Sequence, residues 1–267
     1  MSPVLITGGA CDIDRQRTRD RWAHLPIRTA RLDRLSALAL LAVDEALLDA
    51  AFGPARWDPD RVAIVVGTAF GCHATNEEFY RGLLREGLLG ASPRLFANTL
   101  PSSPGGEISI HYGTRGVVET SPGGRQAGLE AIDRGARLLE LGHQAVIVVA
   151  VDVASATLGR LGLAAEEGAA AVILEAGASD RGGRATPLRL LASGASFDSG
   201  GLATVGDHPD LPSLQPPPGD DAVAPLATLI RWWRAARPGD AAAVVAVDGE
   251  GGAAAVACAV LPPTRSA

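Results

Sequence analysis

The strongest constraint on this fold is a set of short runs that have no polar face. Ala145 to Val151 (AVIVVAV) and Ala169 to Glu175 (AAAVILE) are apolar at almost every position. A half-exposed strand alternates apolar and polar residues, whereas a strand covered on both faces does not. Such runs require a layer above and a layer below. The sequence supplies the covering elements. Residues 30 to 52 (ARLDRLSALALLAVDEALLDAAF) space their apolar positions at three and four, which predicts a helix of about six turns. Thr75 to Glu86, Gln126 to Leu141 and Ala222 to Ala236 read as further helices. Pro3 to Thr7, Arg61 to Val66, Val117 to Ser121, Leu188 to Ser196, Ala243 to Val247 and Ala254 to Leu261 read as further strands. Ser103-Pro104-Gly105-Gly106 reads as a breaker ahead of a helix end at Glu107 to Tyr112, and residues 207 to 221 (DHPDLPSLQPPPGDD) as a proline-rich loop. Alternation of strand and helix predicts an α/β fold with a largely parallel core.

Composition removes several function classes. All 24 basic residues are arginine, so Schiff-base lysine chemistry and a P-loop lysine are excluded. A net charge of -6 argues against a nucleic-acid surface. Cys11, Cys72 and Cys258 are odd in number and far apart, which fits neither a disulfide framework nor paired zinc ligands. The start of the chain (MSPVLITGGACDID) has no basic region followed by a long apolar run, and no stretch reaches ~18 uncharged apolar residues. The expectation is a soluble, cytoplasmic protein without membrane or nucleic-acid partners.

Among reactive groups, Cys72 follows the GTAFG turn and precedes His73. Neighbouring residues on a strand point to opposite faces, so the two are poorly placed as nucleophile and base, and a small apolar residue in a turn is the simpler reading. Cys11 sits in a polar loop and Cys258 in the closing strand, each without a local base. His24, His73, His111, His143 and His208 show no metal spacing; His143, after Gly142, suits a helix C-terminus, and His111 a hydrogen-bonded core position. Gly249-Glu250-Gly251-Gly252 is a glycine turn between two strands, too weak a signal for phosphate binding. More informative is the order strand (VVETS), glycine turn (PGGRQAG), helix. It exposes one residue at a helix N-terminus, where backbone N–H groups stabilise an anion or thiolate. That tip holds Arg125 and Gln126, and neither is a nucleophile. The arginine is either an ordinary turn residue or the mark of a site whose nucleophile has been lost.

Four segments carry a resemblance. DPDRVAIVVGTAFG (58 to 71), SPRLFANTLPSSPGGEISIHYGTRG (92 to 116), EEGAAAVILE (166 to 175) and VAVDGEGGAAAVACAVL (245 to 261) resemble, in order, segments of β-ketoacyl synthases of the thiolase superfamily. The resemblance implies a layered αβαβα thiolase-like fold, abbreviated here to one domain over 1–267 with halves at about 1–175 and 185–262. An ungapped count puts Arg125 where the family has its nucleophilic cysteine, and a shift of one residue puts Gln126 there. The family's HGTGT and GH segments and their lysine are not recognisable, and Glu250 replaces the phenylalanine of GFGG. The chain therefore resembles the chain length factor of type II polyketide synthases, in a shortened form closer to the partner subunits of polyene or highly reducing systems. That resemblance implies no catalytic residue, no cofactor, a heterodimer with an active ketosynthase, and an acyl chain arriving on the phosphopantetheine of an acyl carrier protein. It further implies that Phe70, Leu95 and Phe96 line the acyl tunnel, and that Val117, Val118, Glu119, Thr120 and Ser121 pair across the dimer axis. A repurposed acyltransferase or hydrolase using Cys72, and a homodimeric scaffold binding acyl carrier protein, are the competing expectations.

Overall fold

The computed structural model describes residues 3–13, 31–51, 57–163, 167–177, 187–196, 208, 210–247 and 253–262. In chain order the elements are β1 (Val4–Ile13), α1 (Arg34–Asp49), β2 (Val62–Thr68), α2 (His73–Glu86), α3 (Pro93–Phe96), α4 (Ser103–Tyr112), β3 (Val118–Pro122) and α5 (Ala127–Glu140). They continue as β4 (Ala145–Asp152), α6 (Ala156–Arg160), β5 (Gly168–Ala176), β6 (Leu188–Ser196), β7 (Ser213–Leu214), α7 (Val223–Ala235), β8 (Ala241–Val247) and β9 (Ala253–Val260).

The nine strands form one sheet in the order β3-β2-β4-β5-β1-β6-β9-β8-β7. Its two halves meet only through β1 and β6, at Leu5↔Arg189 and Ile6↔Leu188. Helices α5 and α7 lie between the halves. One apolar cluster joins Val65 and Val148 of the first half, Ile132 and Trp233 of the helices, and Val244 and Val256 of the second half. On the other face of the first half, Leu38 and Val43 of α1 and Ile108 of α4 pack on Ile64 and Ile147. Burying each such side chain contributes about 1.5–3 kcal/mol, which makes these interfaces the main source of stability. The order α-β-α-β follows. On the outer face of the second half, Ala243, Ala255 and Ala257 are packed by Leu191, Ala192, Leu211 and Val245, with no helix over them among the described residues.

The layered α/β architecture agrees with expectation, but the strand directions do not. Five of the eight pairings are antiparallel and three parallel. All eight residues of β4 are buried, yet β4 is parallel to β2 and antiparallel to β5. Uniform apolarity reports cover on both faces, and cover does not fix direction. Among its described residues the link from β4 to β5 carries the five-residue α6, and it makes no parallel crossover.

Three boundaries differ for physical reasons. Strand β1 runs on through Gly8 and Gly9 to Ile13, so Cys11 is a strand residue and not part of a polar loop. Gly8 serves close packing, since a Cβ there would stand 2.4 Å from the Ala46 carbonyl oxygen of α1. Likewise α4 begins at Ser103 and contains the Pro-Gly-Gly that looks like a breaker. Proline is tolerated in a first helical turn, and a Cβ on Gly105 would meet Val118 Cγ1 at 2.7 Å. Strand β3 starts at Val118 rather than Val117 and ends at Pro122.

Candidate functional site

The site is built where β2, β4, α5 and α7 converge. From β3 the chain turns through Gly123 and Gly124 into α5, with Gln126 as the N-cap residue. Gln126 is 6 % exposed, and its Oε1 has no hydrogen-bond partner. Three backbones approach closely here. A Cβ on Gly67, in β2, would lie 2.4 Å from the Ala127 carbonyl oxygen, and one on Gly128 would lie 2.3 Å from that of Ala222. Both glycines are required by contact, not by dihedral freedom.

Two charged side chains fix the junction. The Arg125 guanidinium donates to the carbonyl oxygens of Pro217 and Gly219. These carbonyl dipoles offset a cation that a helix N-terminus would otherwise disfavour. Asp152, at the end of β4, is fully buried. Its carboxylate accepts from Thr68 Oγ1 at 2.7 Å and from the backbone N–H groups of Ala69 (3.0 Å), Phe70 (2.9 Å) and Ala222 (2.8 Å). Burial pushes its pKa up to about 6 against the pull of those donors. Sequence reasoning passed over Asp152. The available signal was a single carboxylate closing an otherwise uncharged, buried run, since an unpaired carboxylate is seldom found there.

A cavity of about 240 Å³ runs beside α5, lined by Gln126, Glu130, Asp133, Arg134, Arg137, Ala195 and Ala253. Its charges are neutralised in pairs: Arg134 to Glu130 and Arg137 to Asp133, each at 2.9 Å. Ser193 Oγ also donates to Asp133 at 2.9 Å. A second cavity, about 220 Å³, lies by Asp12, Glu167, Pro217, Asp221 and Arg231. No group of His, Cys, Asp and Glu among the described residues could hold a metal ion.

The remaining sequence candidates are dispersed. Phe70 sits on the turn that Asp152 holds, Leu95 is buried in α3, and Phe96 is 65 % exposed with its ring 5.8 Å from that of Phe79. None of the three lines either cavity. The Val117 carbonyl accepts from the Ile64 N–H at 2.8 Å, and Val118, Glu119, Thr120 and Ser121 form most of β3, an edge strand paired, among the described residues, with β2 alone. The glycine turn Gly249, Glu250, Gly251 and Gly252 lies outside the described residues. The Cys72 thiol donates to the Thr99 carbonyl at 2.8 Å, and burial pushes its pKa up. Burial likewise pushes Cys11 up to about 11 and raises Cys258. A thiol must ionise to attack, so none of the three is activated. His73 is the first residue of α2. No described helix is long and apolar enough to cross a membrane.

A mixed sheet folded around α5 and α7, with a strand–glycine turn–helix junction at its centre, defines a layered α/β protein. Residues 6–181 match the beta-ketoacyl synthase N-terminal domain, and the chain belongs to that family. A tetracenomycin polyketide synthase ketoacyl synthase alpha subunit from Streptomyces glaucescens is 30% identical over 129 residues, 46% of this chain and 30% of its own length. Nodulation protein E from Rhizobium leguminosarum bv. trifolii is 30% identical over 130 residues, 49% of this chain and 32% of its own. The match thus spans less than a third of either relative. In fold, the chain is similar to a solved structure described as the ishigamide ketosynthase/chain length factor, with TM-score 0.77 and 18% identity over 97% of this chain and 99% of that one. It is similar also to a chain of the AntDE:AntF complex, a type II acyl carrier protein with its ketosynthase bound to the hexaketide, with TM-score 0.78 and 17% identity over 97% and 99% of the two chains.

Proposed function

We propose that this chain is a non-catalytic ketosynthase-like subunit, a chain length factor that pairs with an active ketosynthase and shapes its acyl tunnel in type II polyketide biosynthesis. One observation carries the reading. The junction that leads into α5 presents Arg125 and Gln126, and the three thiols of the chain lie elsewhere, buried and with raised pKa values. Condensation needs a thiolate and donors for an oxyanion. An arginine clamped to two carbonyl groups supplies neither.

A partner is favoured by exposed apolar side chains and by the free edge of β3. Tyr80, Leu84 and Leu88 of α2 and the turn after it, Phe96 of α3, Ile110 of α4 and Val118 of β3 are all more than a third exposed. Unpaired strand edges and contiguous apolar patches mark association surfaces. The similarity to a ketosynthase/chain length factor structure supports a ketosynthase as that partner, and the similarity to a ketosynthase complexed with its acyl carrier protein supports delivery of the acyl group by such a carrier. That the chain uses no cofactor of its own is part of the proposal. The reading with Cys72 as a nucleophile has no activating base to support it, and the homodimeric scaffold has no separate observation in its favour.

The test is co-expression with the ketosynthase encoded nearest to it, carrying a tag on this chain alone, followed by size exclusion. Stoichiometric co-elution is expected. A stable homodimer eluting without the ketosynthase removes the basis of the proposal.

A further inference from the structure

The proline-rich segment before α7 meets the site at both of its charged side chains and makes its closest backbone approach, at Gly128. Pro216, Pro217 and Pro218 have no N–H to offer a strand, and their carbonyl groups remain free to accept. Pro217 and Gly219 accept from Arg125. Asp221, 3 % exposed, caps α7 by accepting from the N–H groups of Val223 (3.0 Å) and Ala224 (2.9 Å). Ala222, with no exposure at all, gives its N–H to Asp152 and sets its carbonyl oxygen where a side chain on Gly128 would have to be. The segment is thus pinned at both ends, by a cation at Arg125 and by a buried carboxylate at Asp152. It lays carbonyl dipoles against the positive end of α5, the place where a bound anion or thiolate would gain most from that helix.

We infer that residues 217–222 are a built-in strap, held by Arg125 and Asp152 across the first turn of α5, which closes this helix end to a thioester arm. The inference rests on the reading of this junction as a lost nucleophile position, and it adds a cause. Replacing the thiol alone does not account for the closure; the chain has filled the approach with its own backbone. Arg125 is then a positioning residue. Its role is to hold the strap, and the fork of its guanidinium suits it to grip two carbonyl oxygens at once.

The experiment uses the full-length chain and needs neither partner nor product. In Arg125→Ala, amide hydrogen exchange across 215–222 should rise at least about ten-fold, while 145–151 in β4 keeps its protection and so reports an intact fold. A second readout is thiol reactivity. Gln126→Cys should react with iodoacetamide at least about ten-fold faster when Arg125→Ala is added. Loss of the cation lowers the thiolate fraction, so an acceleration cannot come from charge and must come from access. Arg125→Lys keeps the charge but on a single donor nitrogen in place of the guanidinium fork, and should fall between the two in both readouts. Unchanged exchange at 215–222 overturns the role of Arg125, and equal labelling rates overturn closure by the strap. The association reading stands or falls separately, by co-elution with a ketosynthase.

Discussion

Asp152→Ala sets two large effects against each other at one atom pair. The substitution orphans four donors, Thr68 Oγ1 and the N–H groups of Ala69, Phe70 and Ala222. At about 1–3 kcal/mol for a buried donor without a partner, less what repacking and water recover, the loss is several kcal/mol. It also removes a carboxylate whose burial lifts its pKa from 3.8 to about 6. At about 1.4 kcal/mol per decade, ionising it inside the fold weakens the protein by roughly 3 kcal/mol. Since the folded pKa is raised, the stabilising contribution is complete below the unfolded value and is lost as pH rises through about 6. The wild type should therefore lead Asp152→Ala by a margin that widens on acidification. Between pH 7 and pH 4.5 the change is about 2 kcal/mol by linkage, in favour of the wild type at the lower pH. Urea unfolding of both chains at the two pH values measures it, and titrations common to both cancel in the difference. A margin that narrows on acidification refutes the reasoning, because it means that the four donors hold the carboxylate charged more strongly than burial opposes it.

Gly128→Ala should destabilise the chain by about 1–3 kcal/mol or more in the same assay, because its Cβ would sit 2.3 Å from a backbone oxygen and backbone cannot rotate away. Cys11, Cys72 and Cys258 should resist a thiol reagent in the native protein at neutral pH and react fully in urea, as all three are buried with raised pKa values; fast native labelling at Cys72 would revive the enzyme reading. In a reconstituted complex, Phe70→Ala and Phe96→Ala should lengthen the product with the condensation rate broadly intact. Unchanged product length in both variants removes these residues from any role in chain length.

What the sequence made legible was cover, not direction. The apolar runs at 145–151 and 169–175 correctly required a layer on each side, and α1, α5 and α7 provide it. Whether two such strands run parallel is decided by the path between them, and the five-residue α6 carries no periodicity that would announce an antiparallel return. The glycines misled for a related reason. Gly105 and Gly106 look like punctuation, but both lie inside α4, and a neighbouring element leaves no room for a Cβ on Gly105. Of the site, the junction at Arg125 and Gln126 was readable from strand, turn and helix in sequence. The strap was not, since its partners Arg125 and Pro217 are joined only in three dimensions, across 92 residues.

The cavity beside α5 bears on how such a subunit could guide an acyl chain. Glu130, Asp133, Arg134 and Arg137 line it, and their charges are already satisfied by one another. Laying a hydrocarbon there would strip water from four charged groups and return no hydrogen bond, a loss that the apolar contact of two alanines does not offset. An acyl tunnel shaped by this chain must therefore be sought elsewhere. The exposed ring of Phe96, its neighbour Phe79 and the leucines of α2 form an apolar face that is open on one side. Such a face cannot enclose a chain by itself, because an alkyl group gains its full burial only when covered all round. Closure requires a second surface, and the free edge of β3 is a place on this chain where a partner's strand could dock. On this argument association and chain-length control are one property. Val118→Asp, which sets a charge on that edge at a half-exposed side chain beside Gly105 of α4, should abolish co-elution with the ketosynthase and lose product-length control in the same step, and a variant that keeps one without the other separates them.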